Sequence, residues 1–190
     1  MKMVDILKIY FYVKGELENS PELKKFFYHG WGHTKSFYDA VCYLGVLENV
    51  DAGDLEKLKI AALYHDRGYE TGIEKDHEYR SVEIARLELP LFGVAESDVY
   101  VICRLIMSTA PGYRPVGILE EIMHDADYEY LGRDYYIYVA ELLRREKGAL
   151  YSVWKEQQIA FLEKHKFLTS SAQLLFDNQK EINYRRLISS

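Results

Sequence analysis

Two short clusters in this sequence combine residue types that bind and activate rather than pack. His65-Asp66 closes the apolar run Ile60-Ala61-Ala62-Leu63-Tyr64, and polar side chains at the end of a buried segment need a compensating partner. Neighbouring side chains on a helix point about 100° apart. Both can therefore reach one ion lying between them, most readily where the helix stops at Arg67-Gly68. Asp125-Ala126-Asp127 offers two carboxylates, and residues two apart on a helix do not face the same way. Asp127 shares its face with Met123, Tyr130 and Leu131, whereas Asp125 shares its face with Glu121 and Glu129. Asp127 is the expected inward ligand; Asp125 is expected at the surface or behind the ligands.

The elements that position these groups read as helices. Apolar residues recur at helical spacing from Met3 to Leu17, and Ser20-Pro21 reads as an N-cap and first position of a restart. The glycines of Tyr28-His29-Gly30-Trp31-Gly32-His33 delay the next helix to about His33. Further helices are expected over Asp51–His65, Asp76–Leu89, Glu96–Thr109, Gly117–Leu131, Tyr135–Arg145 and Tyr151–His165. Pro21, Pro90, Pro111 and Pro115 punctuate them. Alternating strand-like patterning is hard to find, and there is no repeat or linker. The expectation is one compact all-α helical bundle over residues 1–190, with a core at about 28–132, C-terminal helices at about 133–176 and a polar tail after Phe176.

The chain has 190 residues, 48% hydrophobic and 28% charged, which suits one globular domain. Its formal net charge is −6 and no basic block occurs, which argues against a dedicated nucleic-acid surface. Cys42 and Cys103 sit among apolar residues, as reduced buried thiols would. No run reaches the ~18 apolar residues of a membrane span, and the start lacks a signal-peptide core. A cytoplasmic protein is expected, with homo-oligomerisation left open. The 17 tyrosines are expected at core edges and in a cleft, because each buried hydroxyl needs a partner.

His33, then His65-Asp66, then Asp127 resembles the H…HD…D signature of the HD superfamily of metal-dependent phosphohydrolases. A small bacterial branch is the more similar. It shares the opening Tyr28-His29-Gly30-Trp31-Gly32-His33, the helix end His65-Asp66-Arg67-Gly68-Tyr69, the helix start His77-Glu78-Tyr79-Arg80-Ser81 and the run Asp125 to Gly132. The resemblance implies a helical HD fold with a divalent metal held by His33, His65, Asp66 and Asp127. It further implies hydrolysis of a phosphoester or phosphoanhydride by metal-activated water, commonly in a nucleotide. Asp66 and Glu78 take the catalytic positions, Glu78 as general base or as the group that orients the water. Arg67, Lys75, Arg80 and Arg114 lie near the ligands or in the adjacent loop and are the candidates for gripping phosphate.

Two imidazoles and two carboxylates suit Mn, Fe, Co, Ni, Zn or Mg with open positions, and the lack of thiolates argues against a closed zinc site. No histidine lies between His77 and His124, so one metal ion is expected, His77 leaving room for a second. The four ligands could form a buried polar network without metal. His29 is expected to be structural or to brace the ligands, His77 to start its helix or border the cleft, and His124 and His165 to pack or face solvent. Trp31, Tyr69, Tyr113 and Tyr128 are candidates for stacking on a base, although aromatics in helical proteins more often fill the core. Arg144-Arg145-Glu146-Lys147 and Tyr184-Arg185-Arg186 read as solvated. The alternative function is a regulatory module that binds a phosphorylated ligand without turnover.

Overall fold

The computed structural model describes residues 4–189. Among them are nine α-helices, joined by loops and short 3-10 turns, and no strand. α1 (Ile6–Asn19) starts where the Asp5 carboxylate accepts the Lys8 backbone N–H at 3.1 Å; Met3, where the sequence places the start, lies outside the described residues. Ser20 ends α1 rather than capping a new helix, and Glu22–Lys25 forms only a 3-10 turn. α2 (Trp31–Leu47) begins at Trp31, two residues before the expected start. A helix's first N–H groups have no intrahelical partner, so glycines there disrupt little.

α3 (Ala52–Tyr64) is capped by Asp51, whose side chain accepts from the backbones of Gly53 and Asp54, and His65 is its C-cap. The chain turns through Arg67–Thr71 into α4 (His77–Glu88) and α5 (Glu96–Met107). α2 packs on α3 and α6, and α5 packs on α3 and α4. Phe37, Val41 and Leu44 of α2, Leu58, Ala61 and Ala62 of α3, and Ile102, Leu105 and Ile106 of α5 are at most 1% exposed. Each of the larger of these side chains (Val, Leu, Ile, Phe) contributes about 1.5–3 kcal/mol on burial, which makes these faces the rigid frame behind His33 and His65.

The stretch expected as one helix over Gly117–Leu131 is divided. α6 (Ile118–Asp127) stops, Tyr128 turns the chain, and Glu129–Gly132 forms a 3-10 turn. That turn lies against α9: a Cβ on Gly132 would fall 2.4 Å from Phe176 Cβ. α7 (Tyr136–Glu146) and α8 (Tyr151–Lys164) follow close to expectation. The segment after Phe176, expected as a polar tail, is the C-terminal part of α9 (Ser170–Ser189), with Ala172, Phe176, Asn183 and Leu187 buried. Asn183 explains why the pattern was hidden: it occupies a core position, where its amide donates to Leu131 O at 2.9 Å and Arg133 O at 2.7 Å. Cys103 is buried and Cys42 half-buried, both free. No helix among the described residues is long and apolar enough to cross a membrane.

Candidate metal centre

His33 lies in the first turn of α2 and is buried. Its Nε2 is 3.1 Å from His65 Nε2, 3.2 Å from Asp66 Oδ2 and 3.5 Å from Asp127 Oδ1. His65, at the end of α3, has its ring oriented by its own helix: Nδ1 donates to Ala62 O at 2.8 Å, so Nε2 is the nitrogen turned toward His33 and Asp66. Asp66 follows in a bent conformation (φ −105°, ψ 8°) that carries its carboxylate back beside its neighbour, Oδ2 lying 3.3 Å from His65 Nε2. Asp127 ends α6, its position fixed by the turn at Tyr128.

Electron pairs crowd this point. Asp66 Oδ2 is buried and receives no hydrogen bond, yet it faces two imidazole nitrogens at 3.2 and 3.3 Å. Only a cation or shared protons can make such an arrangement favourable. Burial works against a charged His33, but the carboxylates of Asp127 and Asp66 beside it push it up to about 10. Burial likewise opposes ionisation of Asp66, but His65, His33 and His77 hold it well below the usual carboxylate range. Asp127 is also lowered, against its burial, chiefly by His33. One ligand atom each from His33, His65 and Asp127 lies within 4.8 Å of the others, a cluster that could hold a metal ion. The donors are two imidazoles and carboxylates, with no thiolate, which fits a divalent ion with open positions.

Asp66 and Asp127 line a cleft of about 630 Å³ with His77, Glu78 and Lys75, within the usual range for small-molecule sites. His77 is the first residue of α4; Nδ1 donates to Glu74 O at 3.1 Å and Nε2 lies 3.2 Å from Asp66 Oδ1. Glu78 is buried, its Oε1 3.4 Å from His77 Nε2. Tyr28, Tyr69, Tyr79, Tyr128 and Tyr130 also line the cleft. A second cavity of about 680 Å³, with Phe26, Phe27 and Trp31 in its wall, reaches His33 but neither aspartate.

Several expected residues lie elsewhere. Arg67 is buried, bonded to Glu70 and Glu88 and set over the rings of Tyr12 and Tyr64. Its five N–H groups serve the fold, and it does not line the cleft. Arg80 is spent on the preceding turn, its guanidinium donating to Gly68 O at 3.3 Å and to Ile73 O. Arg114 is exposed on its loop and does not line the cleft. Tyr69 and Tyr128 line the cleft, whereas Trp31 lines the other cavity and Tyr113 donates to Glu120. Asp125 is not at the surface: it is fully buried and accepts from the backbones of Leu168 and Thr169 and the Thr169 hydroxyl. His165 is buried beside a parallel His124 ring.

The basic run at the end of α7 is not simply solvated. Glu146 is buried and accepts the backbone N–H groups of Tyr28 and His29 at 2.9 and 3.2 Å, and the His29 ring. Burial would raise its pKa, but the bond from His29 lowers it. His29 stacks on Tyr69, ring centroids 4.2 Å apart, which fits the bracing role expected of it. Lys147 lines the cleft and pairs with Glu74. Nothing local marks either residue, because Glu146 meets its partner across 117 positions.

The HD domain family matches residues 30–130, more than half of the chain, and that stretch includes His33, His65, Asp66 and Asp127. Among solved structures, Bacillus subtilis YpgQ in complex with ADP superposes with a TM-score of 0.70 at 22% sequence identity, covering 97% of this chain and 93% of that one. A predicted HD superfamily hydrolase from an uncultured Thermotogales bacterium superposes with a TM-score of 0.60 at 21% identity, covering 96% and 86%. Curated proteins give no match. The structural likeness carries the fold and the family match carries the motif, so this chain belongs to the HD domain family.

Proposed function

We propose that this chain is a metal-dependent phosphohydrolase that cleaves a phosphoester or phosphoanhydride bond of a small phosphorylated substrate, a nucleotide. One observation carries the reading: His33, His65, Asp66 and Asp127 converge on one buried point at the wall of a cleft, and the Asp66 oxygen there has no hydrogen-bond donor. These four residues would hold one divalent ion. Bound there, it would supply Lewis acidity, easing ionisation of water and screening negative charge on phosphoryl oxygens.

The remaining work falls to this chain's own groups. Glu78, buried beside His77 and open to the cleft, is placed to take a proton from the attacking water or to orient it. Lys75 and Lys147, both lining the cleft, replace Arg67, Arg80 and Arg114 as the cations that would grip phosphate. Lys147 is held by Glu74, and a phosphate arriving there would compete with that carboxylate. Tyr128 lines the cleft and offers apolar ring surface to the rest of the substrate, whereas Tyr69 is already stacked on His29. YpgQ binds ADP in a fold that covers 97% of this chain, which supports a nucleotide as the ligand class.

Elemental analysis of the purified protein beside His65→Ala, followed by a nucleotide and phosphoester panel, tests the reading. About one equivalent of metal is expected in the wild type and none in the variant. The expected loss in kcat/KM is at least about 100-fold, as for removal of an inner metal ligand. Full activity in a metal-free His65→Ala protein would refute the assignment. Metal and nucleotide binding without turnover across the panel would favour the regulatory binding module instead.

A further inference from the structure

The α8 side of the cleft holds polar groups that the proposed chemistry does not use. Trp154, Gln158 and Phe161 are spaced i, i+4 and i+7 on α8, which places them on one helical face, and all three line the cleft. The indole Nε1 of Trp154 is buried without a hydrogen-bond partner. A donor left in that state is unfavourable until an acceptor reaches it. Gln158 is 8% exposed, and its Oε1 accepts the Tyr136 hydroxyl at 3.1 Å. That bond settles which end of the amide faces the core, so the NH2 end is the one left to donate. Beside these donors, Phe161 and Tyr128 both line the cleft and pack on each other, with ring centroids 5.5 Å apart.

Two N–H donors next to aromatic faces suit a planar ring that carries acceptor atoms on its edge, a carbonyl oxygen or an unprotonated ring nitrogen. We propose that this face of α8 is the specificity subsite of the cleft. Trp154 and Gln158 donate to the edge of a heteroaromatic ring packed against Phe161 and Tyr128, while the lysines and the metal-ligand cluster hold the phosphate. The inference rests on the phosphohydrolase reading and adds to it what selects the substrate. A phosphate compound without a ring leaves both donors unanswered and gains nothing from this wall.

Calorimetric titration of the full chain with nucleoside diphosphates and with inorganic pyrophosphate, Mg²⁺ present, tests it. The variants are Trp154→Phe, which keeps a ring face and removes the N–H, and the double variant Tyr136→Phe/Gln158→Met, which removes the amide without orphaning the hydroxyl. Each is expected to weaken nucleoside diphosphate binding about tenfold, the effect of one hydrogen bond, with pyrophosphate affinity unchanged. If one variant fails to fold, as thermal unfolding would reveal, the other decides. An equal loss for pyrophosphate, no loss for the nucleotides, or a wild type that does not prefer nucleotides would overturn the proposal. Because binding is read rather than turnover, an inactive wild type that shows the ring-dependent loss sinks the hydrolase reading alone. Hydrolysis of nucleotides with both variants indifferent sinks the subsite alone.

Discussion

The ring of His65 is set by a bond to its own helix at Ala62 O, and that one bond decides which nitrogen faces Asp66 and His33. His165 shows the opposite case, a ring with neither nitrogen bonded, packed among His124, Tyr128, Phe161 and Phe167. Burial, with His124 and Lys180 nearby and only Asp125 opposing, pulls it down to about 3. Its folded value lies below the ordinary 6.5, so the unfolded chain takes up the proton first as pH falls. The stability it contributes is complete above about pH 6.5 and is lost progressively from there toward pH 3. His165→Phe is expected to flatten this dependence, losing up to about 2 kcal/mol less than the wild type between pH 7.5 and pH 5. Urea midpoints at the two pH values measure it, and parallel losses would show that the ring is not the source.

The join between the Arg67–Thr71 turn and α4 governs how Asp66 meets His77 and Glu78. Gly68 N donates to Ser81 Oγ at 2.8 Å, and a Cβ on Gly68 would sit 2.0 Å from the backbone oxygen of His77. Backbone cannot yield as a flexible side chain does. Gly68→Ala is therefore expected to destabilise the protein by about 1–3 kcal/mol, and to weaken metal retention by moving α4 off the Asp66 turn. Denaturant unfolding with elemental analysis reads both effects; unchanged stability would mean that the two elements separate freely. Arg80 reinforces the same join through Gly68 O and Ile73 O, which is why it is not available to substrate.

At the scale of the whole molecule, the C-terminal helices complete a site whose proposed metal ligands all lie before residue 128. α9 packs on the Glu129–Gly132 turn that immediately follows Asp127, and α8 supplies one wall of the cleft. Removal of residues 177–190 takes away Asn183 and Leu187 from the core and leaves Phe176 exposed. The Tm is expected to fall by at least about 10 °C, at roughly 2–4 °C per kcal/mol for a chain of this size, with loss of bound metal. A truncated protein that melts like the wild type and keeps its metal would show that these residues do not support the site.

The sequence alone determined the helical class, most helix boundaries and the ordered set His33, His65-Asp66, Asp127, because periodicity, caps and adjacent motif residues are local signals. The helix-face argument that set Asp127 inward and Asp125 outward holds only in part: Asp127 reaches His33, but Asp125 is the more deeply buried of the two. What the sequence could not contain was any pairing between distant elements. Glu146 beside His29, Lys147 in the cleft and the α8 wall became visible only when α7 and α8 closed over distant elements, Glu146 meeting His29 across 117 positions. The arginines nearest the motif looked suited to phosphate, yet tertiary structure spent Arg67 on Glu70 and Glu88 and Arg80 on backbone carbonyls. A guanidinium bonds whatever acceptors the fold brings near it, so proximity in sequence says little about where its charge is used. The same holds for α9, whose core position at Asn183 is polar because its partners are the carbonyls of Leu131 and Arg133. A polar residue inside an otherwise apolar stripe can be recognised as core only after its acceptors are in place.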